Sequence, residues 1–372
     1  MLQRINLPFL LKLALVLVSI ICIGYLADVG KIILAPLFFA LLISLLFLPF
    51  ANFLERKLKF NRSLSTMVSV LIMISFLGGL IYFFGAQFSD LSDDWPKLQK
   101  QVIQSFGQLQ TYVSHNFNIN FNKQLKYLNE AGDKLISSST IILGTTLAVF
   151  SSSMAFFVFS VIFFIFILNY RRVLYGFITN VFQDEHRSKV EDITKEVQKI
   201  IKKYITGLFI EIFIVAAMTS LVLTVLDVKY ALLLGVLTGI LNVIPYVGIF
   251  IAAIFASFIS FAMGGSSKFL FVIMGYIGVH LIDSNIILPF VVGSKVKINA
   301  LFSFIIILIG ESLWGISGMF LGIPFLAILK IILERIDTLK PWGELLGDEE
   351  VVTTRPKRRL KISKKITLEE KD

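Results

Sequence analysis

The stretch LLLGVLTGILNVIPYVGIFIAAIFASFISF, residues 232–261, is apolar almost throughout, yet Asn242, Pro245, Tyr246 and Gly248 interrupt it in the middle. A straight membrane span takes about 20 residues, so the run is too long for one span, and its two arms of roughly 13 to 15 residues are too short for two. Proline lacks an N–H and its ring clashes with the carbonyl four residues back, that of Leu241; Gly248 admits a tight backbone turn. Freed backbone groups are tolerated at membrane depth only where they are buried in protein or line a wet cavity. The length and the break together describe a helical hairpin that enters the bilayer and returns. A long kinked or tilted helix is the plainer alternative.

The rest of the chain agrees with a membrane setting. Hydrophobic residues make up 56% of the chain, charged residues only 16%, and Phe alone occurs 36 times, which excludes an ordinary soluble domain. The net charge of +10 does not point to nucleic acid, because the basic residues gather in short loops and the tail, where membrane topology explains them. The single cysteine, Cys22, lies inside the first apolar run and has no partner for a disulfide within the chain. The start of the sequence lacks a signal-peptide cleavage pattern, so the first run is expected to stay as a span.

Six further runs have the length of full spans: 9–27, 32–50, 64–85, 141–168, 205–226 and 269–291. A last run, 300–333, is interrupted by GESLWGISG (310–318). Between the spans, Leu98, Val102, Phe106, Leu109 and Val113 recur at helical spacing, as do Val190, Ile193, Val197, Ile200 and Tyr204, so two amphipathic helices are expected. Basic residues concentrate in 55–62, in 171–203, at Lys295 and Lys297, and in the tail segment RPKRRLKISKK (355–365). The positive-inside rule places these in the cytoplasm, with both termini, and puts 86–140 outside. Counting crossings then makes 232–261 a hairpin entered from outside and 300–333 a hairpin entered from inside. The fold class is therefore an all-α polytopic membrane protein with about six full transmembrane helices and two oppositely oriented re-entrant hairpins. This is the inverted-repeat pattern common in secondary transporters.

The expected organisation follows. Residues 1–85 hold N-terminal spans that serve as scaffold and oligomer surface, and 86–140 an extracytoplasmic amphipathic segment. Residues 141–204 hold the fourth span with a cytoplasmic amphipathic helix, 205–336 a transport unit with the two broken hairpins, and 337–372 a basic cytoplasmic tail.

Ionisable residues inside spans are costly and commonly functional. Glu211 lies within the fifth span, Asp283 within the sixth, with His280 three residues before it on the same helical face, and Glu311 in the break of the last hairpin. With Asn242, Pro245, Tyr246 and Gly248 at the first hairpin's break, and Asn285 and Pro289 following Asp283, they form the candidate substrate or ion pathway. The plainer readings are a self-satisfying His280–Asp283 pair, a Glu211 reaching headgroup water, a capping Glu311, and an Asn242–Pro245 turn that only closes the hairpin. Asn169, Arg171 and Arg172 read as a span terminus. His115, His186 and His280 are not at metal-ligand spacing and no phosphate-binding loop is present, so no enzyme, metal or cofactor is expected.

VGKIILAPLFFALLISLLFLPF (29–50), KYITG (203–207), GVLTGILNVIPYVG (235–248), HLIDSNIILPFVVG (280–293) and GISGMFLGIPFLAIL (315–329) together resemble the AI-2E (autoinducer-2 exporter) family of bacterial membrane transporters, over residues 10 to 335. The sequence departs from that pattern at Leu208, where the family often has glutamine, at His280 and Asp283, where it commonly has glutamine and glutamate, and at Ile249 in place of a proline. The resemblance implies export of a small polar solute or signal such as autoinducer-2 across the bacterial cytoplasmic (inner) membrane, with sodium(cation)/proton antiport as the alternative. It also implies a homo-oligomer, a pentamer among the expected sizes. The expected partners are a small polar solute or monovalent cation and the lipid bilayer, with no nucleic acid.

Overall fold

A computed structural model describes residues 8–117, 154–244, 248–290 and 298–347. Every regular element among the described residues is helical: α1 (Phe9–Val29), α2 (Lys31–Lys57), α3 (Arg62–Phe117), α4 (Met154–Asn180), α5 (Asp184–Val225), α6 (Ala231–Leu241), α7 (Gly248–Ile282), α8 (Ala300–Arg335) and α9 (Lys340–Leu345). A π-helical turn, Asp283–Ile287, continues α7. Seven of these stretches are long and apolar enough to cross a membrane. Large apolar side chains such as Phe9, Ile20, Tyr82, Phe213, Phe271 and Phe290 stand on their outer surfaces. Contiguous exposure of this kind is a liability in water and the normal state against lipid. The protein is a multi-pass membrane protein.

Two of the helices are hairpins. In α8, Gly315 has φ 59° and ψ −140°, a backbone conformation no helix contains. A Cβ added at Gly310 would fall on the Gly318 carbonyl, one at Gly318 on the Gly310 carbonyl, and one at Gly322 would lie 3.0 Å from the Ile306 oxygen. Pairs 310/318 and 306/322 are symmetric about Trp314, so the two arms of α8 run antiparallel and close at Trp314–Gly315. In α7, the Phe250 ring lies 5.8 Å from His280, and the Phe261 ring 5.8 Å from Phe269. A straight helix would separate residues 250 and 280 by about 45 Å. The chain therefore folds back between Phe261 and Phe269 into two arms, α7a (Gly248–Phe261) and α7b (Ser267–Ile287). α7a pairs with α6, since a Cβ at Gly248 would fall on the Leu241 carbonyl. Helices α1 to α5 and α7b are thus uninterrupted spans, flanked by the hairpins α6–α7a and α8, as the sequence predicts.

The hairpins enter from opposite ends of the bundle. α6 starts where α5 ends, and Lys268 at the α7a–α7b fold-back bonds Asp227 of the α5–α6 turn. α7b then runs to the other end, where α8 begins and also returns. There Arg335 lies 4.0 Å from Asp192 and Lys189 3.2 Å from Asp337, the two pairs joining the end of α8 and the turn after it to the start of α5.

The structure differs from the sequence expectation in where helices stop. The amphipathic stretch 190–204 is continuous with the fifth span in α5, because nothing between Asp184 and Thr206 is glycine or proline. Likewise α3 runs on from its span to Phe117, so the expected segment at 98–113 extends that helix. α4 continues past Asn169–Arg172 to Asn180. Arg171, read from sequence as a span terminus, donates to Leu168 O (2.9 Å), Asn52 Oδ1 (3.2 Å) and Glu55 Oε1 (2.5 Å), tying α4 to α2. Arg62 donates to Asn169 O (3.3 Å) and adds α3 to the same knot.

α5 and α6 pack through glycine. A Cβ at Gly235 would lie 2.6 Å from the Ser220 nitrogen, and one at Gly239 would fall on the Ile212 carbonyl. Lipid tails are as apolar as leucine, so close backbone approach supplies packing energy that exclusion from water does not. At the turn between the two helices, Lys229 and Tyr230 both donate to Asp94 of α3. The Asp94 carboxylate holds the Lys229 ammonium above the ordinary lysine range. Replacing Gly235 by alanine is expected to cost on the order of 1–3 kcal/mol by overpacking. Gly278 meets nothing within 4 Å, and Gly278→Ala is expected to be neutral or slightly stabilising. Thermal unfolding of the two variants in detergent checks the contrast.

Candidate functional site

Three polar side chains meet inside the helices that the glycines draw together. Glu211 on α5 is 3% exposed, Asn242 at the end of α6 is 7%, and Asp283 at the head of the π-helical turn is 5%. Asn242 Nδ2 donates to Glu211 Oε1 (3.1 Å) and to Asp283 Oδ2 (3.0 Å). An amide nitrogen carries two hydrogens, so both are used, and Asn242 Oδ1 stays available as an acceptor. Glu211 Oε2 and Asp283 Oδ1 are buried with no partner among the described residues. None of the ion pairs among those residues involves Glu211 or Asp283.

Local structure explains each position. Gly239 lets α6 lie against Ile212 and Ala216, which puts the end of α6 beside Glu211. α6 stops at Leu241, four residues before the proline in the sequence, and Gly248 resumes helix directly against Leu241 and Asn242. Asp283 is presented by the π-helical turn. Pro289 has no N–H to return to Asn285, so an α-helical register fails there and the wider turn takes its place. Ser284 donates to His280 O (2.7 Å) and Asn285 Nδ2 to Leu281 O (2.8 Å), which satisfies carbonyls that the π turn loosens.

The ten candidates therefore separate. Glu211, Asn242 and Asp283 form the cluster, and Gly248 closes the backbone next to it. Asn285 and Pro289 are exposed and shape the turn that carries Asp283. His280 is half-buried, one turn from Asp283, with its ring against Phe250 and its Nδ1 buried without a partner. Glu311 lies apart, exposed on the first arm of α8 near its tip. Pro245 and Tyr246 lie outside the described residues. Among those residues no three His, Cys, Asp or Glu side chains stand together as a metal site, so the carboxylates are a pair and not part of a larger cage.

Apolar side chains close the cluster off. Toward the α5–α6 turn lie Val215, Leu234, Ile249, Ala252, Val272 and Val279; toward the start of α5 lie Leu208, Val243, Leu288 and Leu321. Two carboxylates in such surroundings, held by one neutral amide, need a compensating positive charge or donated hydrogens. The arrangement can therefore hold a proton, a small cation or a solute rich in hydroxyls.

Sequence reasoning did not find Thr238 and Tyr276, whose oxygens lie 2.8 Å apart, both residues fully enclosed beside the cluster. The four-residue step from Thr238 to Asn242 was the available signal. Nor did it find that Trp314 at the tip of α8 donates to Ala27 O (2.9 Å) of α1 while stacking on Phe38.

Removing the shared donor by Asn242→Ala is expected to destabilise the protein by roughly 1–3 kcal/mol, because two buried carboxylate oxygens lose their partner. Adding Asp283→Asn is expected to recover a good part of that loss. A double-mutant cycle on thermal stability measures the coupling; additive losses would show that the amide does not link the two acids.

Comparison with known proteins shows the family. Residues 10–338 match the AI-2E family transporter profile. YhhT of Escherichia coli, whose assignment to transport is itself provisional, is 25% identical over 361 residues, covering 96% of this chain and 98% of YhhT. YrrI of Bacillus subtilis, of similarly provisional assignment, is 31% identical over 147 residues, 40% of this chain and 41% of YrrI. The AI-2 transport protein TqsA of E. coli is 32% identical over 126 residues, 34% of this chain and 37% of TqsA. The chain belongs to the AI-2E transporter family.

Proposed function

We propose that this protein exports a small polar organic solute, with Glu211, Asn242 and Asp283 as its binding and coupling site. The observation that carries this reading is the single Asn242 amide shared by two buried carboxylates, each with an oxygen left free. A hydroxyl-rich solute donates hydrogens to those oxygens and accepts none from them, and Asn242 Oδ1 offers a third acceptor. Broken hairpins entering from opposite ends, an arrangement in which inverted-repeat transporters bind cargo, support this reading. The partial similarity to an AI-2 transport protein favours furanone-type signals as the first solutes to try.

Cation/proton antiport is the second reading, favoured by a specific feature: the carboxylate pair has no Lys, Arg or His ion-pair partner among the described residues. In both readings residues 205–336 form the moving unit and the spans before residue 86 the scaffold. The chain sits in the bacterial inner membrane as a homo-oligomer with cytoplasmic termini, an orientation supported by the basic segments 55–62 and 171–203.

Efflux from proteoliposomes loaded with labelled furanone tests the proposal. Wild-type protein is expected to accelerate efflux over empty vesicles, and Asp283→Asn to lower that rate roughly tenfold, the cost of about one charged hydrogen bond. Protein-independent efflux would refute solute export. Sodium-driven proton movement in the same vesicles, lost in Glu211→Gln with Asp283→Asn, would establish the antiport reading in its place.

A further inference from the structure

From the residue before α6 to the one after it, Tyr230, Leu234, Thr238 and Asn242 follow at four-residue steps and form one stripe along an inclined ridge of the helix. Asn242 belongs to the carboxylate cluster, and the stripe leads from it to the α5–α6 turn. Thr238 is 0% exposed and donates its hydroxyl hydrogen to Leu234 O (2.6 Å). In its 2.8 Å contact with Tyr276, the tyrosine is therefore the donor, and the Tyr276 oxygen keeps its lone pairs. Thr219 on α5 is 1% exposed, and its Oγ1 has no partner among the described residues. Thr219 is one turn from both Val215 and Leu223, which pack in one cluster with Leu234, Val272 and Val279, so it shares their helix face. A threonine in a helix readily bonds the carbonyl four residues back, as Thr194 and Thr224 do here; the Thr219 oxygen does not. Three hydroxyls thus sit within an otherwise apolar cluster of Val215, Leu234, Val272 and Val279.

At the far end of the stripe, Tyr230 lines an open cavity of about 550 Å³ together with Gln87, Asp90, Asp93, Asp94 and Lys229. Lys229 and Tyr230 occupy Asp94. No cation among the described residues pairs with the Asp90 or Asp93 carboxylates. From Tyr230 to Asn242 the stripe spans about 18 Å at the rise of an α-helix.

We propose that this line is a cation path between the Asp90–Asp93 cavity and the Glu211–Asp283 pair, with Leu234 as its plug and Thr238, Tyr276 and Thr219 as its oxygen ligands. The path rests on the antiport reading and names that reading's route. The cargo is a small monovalent cation, sodium or hydronium. The acidic mouth concentrates positive charge, whereas a neutral solute gains nothing from it. Thr219, Tyr276 and Thr238 each keep a hydroxyl lone pair, as a partly dehydrated cation requires. Leu234, 2% exposed, fills the stripe between mouth and hydroxyls.

The test is cysteine accessibility in full-length protein carrying Cys22→Ser, reconstituted in vesicles. Lys229→Cys reports which face carries the α5–α6 turn. Thr238→Cys and Thr219→Cys are each treated with a cationic and a neutral, size-matched membrane-impermeant thiol reagent. Both variants are expected to react from the Lys229→Cys face, faster with the cationic reagent, and to be slowed severalfold by sodium; slowing by acid alone would identify hydronium. Adding Leu234→Ala is expected to speed the reaction. Tyr276→Phe is expected to lower sodium-driven proton movement roughly tenfold, the cost of about one hydrogen bond to a cation, with thermal stability retained. Reaction only from the opposite face, equal rates for the two reagents, or no reaction in a variant that still moves protons would overturn the path. Failure of the antiport reading shows separately, as no sodium-driven proton movement in the parent protein.

Discussion

The meeting of α5, α6 and α7b depends on one side-chain amide. Asn242 donates one hydrogen to Glu211 on α5 and the other to Asp283 on α7b, and so joins three helices through one side chain. The geometry is demanding. The end of α6 must lie within hydrogen-bond reach of α5, and the chain must turn back immediately so that α7b can bring Asp283 to the other side. Gly239 and Gly248 provide for the first and second of these, since a side chain at either would strike backbone. The π-helical turn ahead of Pro289 provides for the third.

Burial sharpens the chemistry of that amide. The carboxylates are enclosed by aliphatic side chains on both sides, so nothing in bulk water screens them. Their free oxygens call for hydrogen or positive charge, and no described residue donates to them. The scaffold side is built differently. α2, α3 and α4 are held by apolar contacts around Phe164 and Leu168 and by the Arg171–Glu55 pair, in which both side chains are satisfied. Arg62 Nε, Ser65 Oγ and Thr66 Oγ1 of α3 are also buried without a partner among the described residues, but the buried carboxylate oxygens left without one, Glu211 Oε2 and Asp283 Oδ1, are both in the cluster around Asn242.

Much of this was legible in the residues. The interrupted runs 232–261 and 300–333 announced hairpins, because an apolar run of that length with Pro or Gly in its centre has few other ways to satisfy its backbone. Glu211, Asn242 and Asp283 stood out because polar groups are expensive there. The meeting of these three residues could not be read, since they come from helices far apart in sequence and the contact depends on glycine packing. Glu311 looked equivalent by the same rule, yet it sits exposed on α8, away from the cluster. Helix boundaries were read at 169–172 and between Tyr204 and Ile205, where the helices run on, because charge marks the edge of the apolar region and not the end of a helix. Thr238 and Tyr276 passed unnoticed because hydroxyls in spans usually bond their own backbone.

The most direct test of the central claim is infrared difference spectroscopy of the purified protein in the protonated-carboxyl region, recorded on adding sodium or a furanone solute. If Glu211 and Asp283 hold an exchangeable proton and engage the ligand, a carboxyl band shifts or disappears on addition, and the change is absent in Asp283→Asn with Glu211→Gln. A spectrum that does not respond to either ligand, or a response that survives the double substitution, would contradict the assignment of this pair as the transport site.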